Sequence, residues 1–432
     1  MLIGLIILLI FLCFAVLMYL NKLPALVALP LMAFLIALIS GMPLREIASN
    51  VISDGAVRLS VPIVTVMIGS MLSQFVSNSK IAESMIKKIA EYSGDNPIVA
   101  TLVSVAAVSV LFSVLGGLGS VIMVASIALP IMLSIGLSRI TAASIFLMAL
   151  GLGGIFNLTN WQLYITVLGL SQKDMIKFAV PLSVVFAVTI VVFLLVEMRL
   201  KGLSKGWDIK SEDTNPKNIS FFAMLTPIIP IVIVFGFTAY NILFKPSNPF
   251  EFPIIAAMLV GLAWGYVFTF DKDKSLNILV KSVVEGIGSV GPAVAIIMGI
   301  GMLLNSVSHP AVFEKLLPLI SRIIPDNPIK FVLAFSVLSP LTLYRGPLNI
   351  WGMGAGLVGI ILSSKMLTPF AIMVALMSVG QIQGVCDPTN THNVWIANYL
   401  DLNTQDILKN TIPYMWIVAA LGLIIGAVIA FQ

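Results

Sequence analysis

Long apolar runs separated by short polar or Pro/Gly clusters recur from one end of this chain to the other. In the first half they are Leu2 to Leu20, Ala25 to Ser40, Ser60 to Val76, Pro97 to Ile135, Thr141 to Leu170 and Phe178 to Met198. The second half repeats the theme with Phe221 to Leu243, Phe252 to Phe270, Gly288 to Val307, Pro328 to Ile361, Thr368 to Tyr399 and Thr411 to Phe431. A helix of roughly 20 apolar residues crosses the hydrocarbon of a bilayer, so these runs read as spans. Two stretches have helical period instead. Lys80 to Tyr92 sets Ile81, Met85, Ile89 and Tyr92 against Lys80, Glu83, Lys87, Lys88 and Glu91, the pattern of an amphipathic helix lying in the interface. Ala311 to Ile324 is its counterpart. Met42 to Arg58 carries Arg45, Glu46, Asp54 and Arg58 and is expected at the interface or in a loop; Glu285 is likewise expected at the interface.

The chain also matches itself. Phe156-Asn157-Leu158-Thr159-Asn160-Trp161-Gln162 falls on Cys386-Asp387-Pro388-Thr389-Asn390-Thr391-His392 at an offset of 230, and Asp95-Asn96-Pro97 falls on Asp326-Asn327-Pro328 at 231. Met67 and Met71 fall on Met298 and Met302, and Leu170 to Lys177 resembles Leu402 to Lys409. A single spacing held over both halves indicates a duplication. Residues 1–198 are then a first repeat, with a hairpin over 97–136 and a broken helix over 141–170. The polar segment 199–218 is a linker. Residues 219–432 are a second repeat, with a hairpin over 328–363 and a broken helix over 368–400.

The interruptions fall where interruptions are costly. Leu115 to Ser120 divides one apolar stretch with Gly116, Gly117 and Gly119, and Arg345-Gly346-Pro347 divides its counterpart. Backbone that is not helical at membrane depth is tolerated where it is buried in protein or lines a cavity. Each stretch therefore reads as a re-entrant hairpin with its tip near the midplane. The motifs at Asn157 and Asp387 break two further spans, leaving amides at one half-helix end and carbonyls at the other, suited to an anion and a cation respectively. The expected fold is an all-α polytopic membrane protein, an inverted repeat with two re-entrant hairpins and two broken helices.

Composition agrees, with 59% hydrophobic and 10% charged residues and a mean hydropathy of +1.08. Each half makes an odd number of crossings, which inverts the second against the first and sets both termini on the side opposite the linker. With Arg345 left out as embedded, 14 Lys and Arg fall on the linker side and 9 on the other, so the positive-inside rule makes the linker cytoplasmic, the termini external and the location a plasma (inner) membrane. The net charge of +5 is explained by loop lysines, with no basic aromatic patch for nucleic acid. Cys13 and Cys386 are too few for a disulfide framework or a CxxC metal site. The apolar N-terminus has no charged leader region and reads as a retained span. With only His309 and His392, and no HExxH or GxSxG, an enzyme is not expected, nor any cofactor beyond Na⁺ as a coupling ion.

The candidate chemistry is asymmetric. Leu115, Asn157 and Gln162 in the first half face Arg345, Asp387 and His392 in the second. Arg345 suits a carboxylate, or serves as the counter-ion of Asp387. Asp387 suits Na⁺ or a coupling proton, and His392 suits a proton relay, a substrate bond or plain helix packing. Thr159, Asn160, Thr389 and Asn390 add hard oxygens, although such residues also serve as bonds between membrane helices. Trp161, Trp351 and Trp395 read as packing or interface anchors. On this basis Gly117, Gly119, Ser120, Asn157, Arg345, Gly346, Asn349 and His392 are the candidate substrate residues. Asn157, Thr159, Asn160, Asp387, Thr389 and Asn390 are the candidate coupling-ion residues.

The order of amphipathic arm, glycine-rich tip, Asn157-x-x-x-Trp161 break and charged linker resembles the citrate-metal-proton symporter family of the ion transporter superfamily. The first tip departs from that family in having no acid between its glycines, and the second in presenting Arg345-Gly346-Pro347. The resemblance implies an elevator-type secondary transporter in a lipid bilayer, and the departures favour a free small organic anion, a carboxylate, over a metal-citrate complex. It also implies coupling to Na⁺ or H⁺ and a homodimer. A cation/proton antiporter or organic-acid exchanger of the same fold is the alternative, with a passive channel disfavoured by the paired breaks.

Overall fold

The computed structural model describes residues 2–20, 22–92, 96–201, 219–321 and 323–431, and every regular element among them is helical. Six of these helices are long and apolar enough to cross a membrane, or seven when the pair Arg139–Ile155 and Leu158–Leu168, bent by 47°, is taken as one span. The protein is thus a multi-pass membrane protein. The proposed linker lies outside the described residues, except that Arg199 to Lys201 close the helix Gln172–Lys201.

Both hairpins form. Helices Pro97–Phe112 and Leu118–Ser134, of 16 and 17 residues, flank the first tip. Asn96 starts the first of them by accepting the amides of Ile98 and Val99, with Pro97 at the first helical position, where its missing N–H costs nothing. The second hairpin is Pro328–Leu338, a tight turn over Ser339–Arg345 and the helix Gly354–Ser364. Asn327 caps it in the same way, by accepting from Lys330 N. The second broken span is Pro369–Cys386 followed by Thr391–Tyr399.

The region from Met42 to Arg58, expected at the interface or in a loop, is not a loop. It is helical, as Leu44–Glu46, a π-helical stretch Ile47–Asp54 and Gly55–Val57, and runs almost directly into Ser60–Asn78. Ile47, Val51, Gly55 and Leu59 are buried at a spacing of four while Arg45, Asp54 and Arg58 stay exposed, so the charges sit on one edge of a helix that packs with the other. Its counterpart, Ser275–Ser289, escapes a reading by long apolar runs because Lys281 and Glu285 interrupt it. Ser282 and Gly286 are buried there while Leu276, Val280 and Val284 point outward.

Two packed groups of helices result. In one, Ser60–Asn78 lies against Ser275–Ser289 and Ile254–Phe268, and Gly291–Ser308 lies against Ala25–Ile39 and Gly55–Val57. In the other, the first half-helices Arg139–Ile155 and Pro369–Cys386 touch each other and are enclosed by Pro97–Phe112, Gln172–Lys201 and Thr404–Ala430. Burial explains their composition, because Thr141 to Ala149 and Ala371 to Val379 are covered on every side. Glycines set the closest approaches in the first group, and they do so twice. A Cβ on Gly55 would lie 2.6 Å from Met302 Cα, and one on Gly286 would lie 2.7 Å from Met71 Cα; the four residues pair off at an offset of 231. Gly301 seals the same seam, since its Cβ would come 2.2 Å from Gly55 O.

Backbone cannot yield as a flexible side chain can, so the seam tolerates no methyl group. Gly301→Ala and Gly286→Ala are each expected to lower stability by about 1–3 kcal/mol through overpacking. Gly288→Ala, whose Cβ meets nothing within 4 Å, should be neutral. Thermal unfolding of the three variants in detergent micelles checks this; equal melting temperatures for Gly288→Ala and Gly301→Ala would refute it.

Candidate functional site

Each helix break leaves orphan amides and carbonyls, and the first break settles most of them through one side chain. Asn157 Oδ1 accepts the amides of Thr159 (3.1 Å) and Asn160 (3.3 Å), capping Leu158–Leu168. Its Nδ2 donates to Phe112 O (3.0 Å) and Leu115 O (3.1 Å), carbonyls left over where the hairpin's first helix ends. The carbonyls of the preceding half-helix are met from beyond the break, Gly154 O by Asn160 Nδ2 at 3.3 Å and Ile155 O by Trp161 Nε1 at 2.7 Å. An unmet buried carbonyl costs a few kcal/mol, so the break is stable only as this connected set.

The second break repeats the device with opposite polarity. Asp387 is fully buried; Oδ1 accepts from Thr389 N (2.9 Å) and Thr389 Oγ1 (2.6 Å), and Oδ2 accepts from Tyr344 N (2.7 Å) in the second tip. The first tip offers carbonyls and needs the donor that asparagine has. The second offers an amide and needs an acceptor, which aspartate supplies. Asn390 and Gln383 exchange two bonds of 2.8 Å, His392 Nε2 donates to Gly384 O at 3.1 Å, and Asn393 Nδ2 donates to Val385 O at 2.9 Å. Tyr344 and Arg345 both have φ of 55°, a left-handed pair of bulky residues held by the Asp387 bond and by Met353 N donating to Arg345 O.

Between these parts lies a cavity of about 340 Å³. From the first tip it is lined by Gly116 and Gly117, from the first break by Asn157, Thr159 and Asn160, from the second hairpin by Trp351, and from the second break by Thr391 and His392. Gly117 has φ of 81°, and neither it nor Gly116 has an atom within 4 Å of where a Cβ would sit, so the backbone itself faces the space. The site residues read from sequence therefore divide. Gly117, Asn157, Thr159, Asn160 and His392 line the cavity. Gly119, Ser120, Arg345, Gly346, Asn349, Asp387, Thr389 and Asn390 lie behind its wall.

Those behind it have local roles. Ser120 Oγ bonds Ser73 and Gly116 O, and a Cβ on Gly119 would meet Gln74 Nε2, so this end of the hairpin is fitted to helix Ser60–Asn78. Gly346 is glycine because a Cβ would lie 2.1 Å from Leu341 O. Asn349 Oδ1 accepts from Trp351 N at 2.9 Å, shaping the turn, while its buried Nδ2 has no partner. Arg345 makes no ion pair with Asp387 among the described residues, and its Nη1 reaches Trp351 O at 3.4 Å. Trp351 was an anchor by sequence and is a cavity wall in the structure. Phe112, Ser70 and Ser289, the last two joined at 2.9 Å, also line it. Only the small pair Gly69-Ser70 within an apolar span hinted at that.

No protein-family model matches the chain, and no curated protein matches it. Among solved structures it is similar to the YdaH transporter of Alcanivorax borkumensis, described as having an unusual topology, with a TM-score of 0.60 and 15% sequence identity over 90% of this chain and 88% of that one. The chain has the fold of a membrane transporter. The likeness is one of architecture and extends over nearly the whole length; the citrate-metal-proton symporter resemblance finds no support in it. Among the described residues no group of three or more His, Cys, Asp or Glu is placed to hold a metal ion.

If Asn157 is the staple of tip and break, its substitutions are ordered. Asn157→Ala should cost about 2–4 kcal/mol, and Asn157→Asp at least as much, since a carboxylate keeps the cap but faces two carbonyls. Hydrogen exchange at residues 113–117, together with thermal unfolding, reads both. Unchanged protection in Asn157→Ala would remove the staple role.

Proposed function

We propose that the protein is a secondary active transporter that takes up a small organic anion, a carboxylate, together with Na⁺ or H⁺. The observation that carries this reading is a cavity lined by the first tip, by both helix breaks and by Trp351 of the second hairpin, within a fold shared with a transporter. The helices that begin at Gly117, Asn157 and Asn390 start beside that cavity, and N-terminal helix ends favour an anion. The carbonyl ends of Arg139–Ile155 and Pro369–Cys386 favour a cation. For Na⁺, Thr159 Oγ1 and Asn160 Oδ1 stand at the first break with no hydrogen-bond donor assigned to them. For H⁺, the buried Asp387 carboxylate is the carrier, its proton exchange gated by the bond to Tyr344 N.

In this reading the hairpins and broken spans move as one body past the glycine-sealed seam of the other helices, in an elevator motion. The duplicated halves are inverted in the membrane, the linker is cytoplasmic with both termini outside, and two copies pair. The cation/proton antiporter and the organic-acid exchanger are the rival uses of the same fold.

Uptake into proteoliposomes under an imposed Na⁺ or pH gradient tests the reading. Flux of a labelled carboxylate should rise at least about tenfold with one inward cation gradient and collapse when that gradient is dissipated. Thr159→Val combined with Asn160→Leu should raise the half-saturating Na⁺ concentration by about tenfold or more if Na⁺ is the driver, and Asp387→Asn should abolish the pH dependence if H⁺ is. Carboxylate flux that ignores both gradients would point to a passive pore. Cation exchange without carboxylate movement would point to the antiporter.

A further inference from the structure

The cavity wall carries no charged side chain. No Asp, Glu, Lys or Arg is among its lining residues, and the two charges nearest in sequence to the tips and breaks are committed elsewhere: Asp387 to three hydrogen bonds behind the wall, Arg345 to Trp351 O. What the wall offers an anion is therefore limited. The amides of Gly116 and Gly117 donate to no assigned partner, and three helices begin at the cavity, each N-terminus worth about half a positive charge. His392 adds one acceptor or donor, because its Nε2 is engaged with Gly384 O and leaves Nδ1. Much of the remaining lining is apolar, and includes Val66, Phe112, Leu115 and Leu150 besides Trp351.

A second or third carboxylate placed in such a site would be desolvated against leucine, valine and aromatic carbon with no cationic side chain in the lining to pair with it. An apolar body, by contrast, gains from every part of that wall it covers.

We infer that the substrate is an amphipathic monoanion: one carboxylate held at the first tip and the helix N-termini, with a branched aliphatic or aromatic body laid against Trp351 and Phe112. Di- and tricarboxylates are disfavoured because the lining has no Lys or Arg to pair with a second carboxylate. The inference rests on the transporter reading of this cavity and narrows its substrate class. It makes Trp351 a specificity-determining residue, and Arg345 a positioning residue that orients it through the backbone oxygen. It also gives meaning to Leu115, which stands at the first tip where the second half has Arg345: an arginine there would supply the absent charge inside the cavity.

The test is a thermal-shift and proteoliposome counterflow panel with the full-length protein, using 4-methylvalerate and phenylacetate against succinate, glutarate and citrate, in both Na⁺ and K⁺ at fixed pH. The monoanions should bind at least about tenfold more tightly than the dicarboxylates, Trp351→Ala should weaken them by about tenfold, and Trp351→Phe should restore most of that loss. Leu115→Arg should shift the preference towards succinate or glutarate by about tenfold or more. Wild-type protein that prefers a di- or tricarboxylate overturns this inference while leaving the transporter reading intact. Preference for monoanions that Trp351→Ala and Leu115→Arg both leave unchanged overturns it as well, because the selecting wall would then lie elsewhere. If no anion in the panel binds or exchanges, the carboxylate reading of the function itself fails, and this inference with it.

Discussion

A membrane helix that stops halfway must find partners for the amides and carbonyls it exposes, and the whole centre of this protein follows from how it does so. Hydrocarbon supplies no hydrogen bonds. The protein answers with side chains placed just past each break that reach back six to eight residues: Asn160 and Trp161 to Gly154 and Ile155, His392 and Asn393 to Gly384 and Val385. One further residue per break, Asn157 or Asp387, reaches sideways into a hairpin tip. The tips are thereby tied to the breaks, and the cavity exists because four interrupted elements are held a fixed distance apart.

This constraint also explains an asymmetry that invites a different reading. An aspartate 230 residues after an asparagine, within similar motifs, looks like ion chemistry added to one of them. In the structure the first demand on each residue is geometric: the first tip ends in carbonyls and takes an amide, the second ends in an amide and takes a carboxylate. Among the described residues Arg345 makes no ion pair with Asp387, and the bonds made directly to the carboxylate are three hydrogen bonds. A charge so held is tolerable while the tip stays docked and costly once it opens.

Much of the architecture was legible in the sequence, because hydrocarbon penalises exceptions and so makes them visible. The hairpin tips, both breaks, the amphipathic arm and the spacing of 230 to 231 residues stand out as glycine, proline or polar clusters inside apolar runs. Less visible were features fixed by helix-to-helix geometry. The stretch Met42 to Arg58 and the helix Ser275–Ser289 hide their buried faces behind charged edges. Trp351 looked like an anchor, since nothing local says which way a turn will aim a ring. Nor does sequence say which of several polar residues at a tip will face the cavity and which will be used up in building it; eight of the thirteen candidates lie behind the wall.

That last division bears on how sites in broken-helix proteins are read. Polar residues cluster at a break for two reasons, to satisfy its backbone and to meet a ligand, and the first demand must be filled before the second can be served. Asn157 fills it with both ends of its amide, so although it borders the cavity it has little left to give. The groups free to bind are those the backbone did not need: the Gly116 and Gly117 amides, Thr159 Oγ1, Asn160 Oδ1 and His392 Nδ1. The cavity lining itself has no Asp, Glu, Lys or Arg, and the nearest charges in sequence, on Arg345 and Asp387, belong to residues outside that lining.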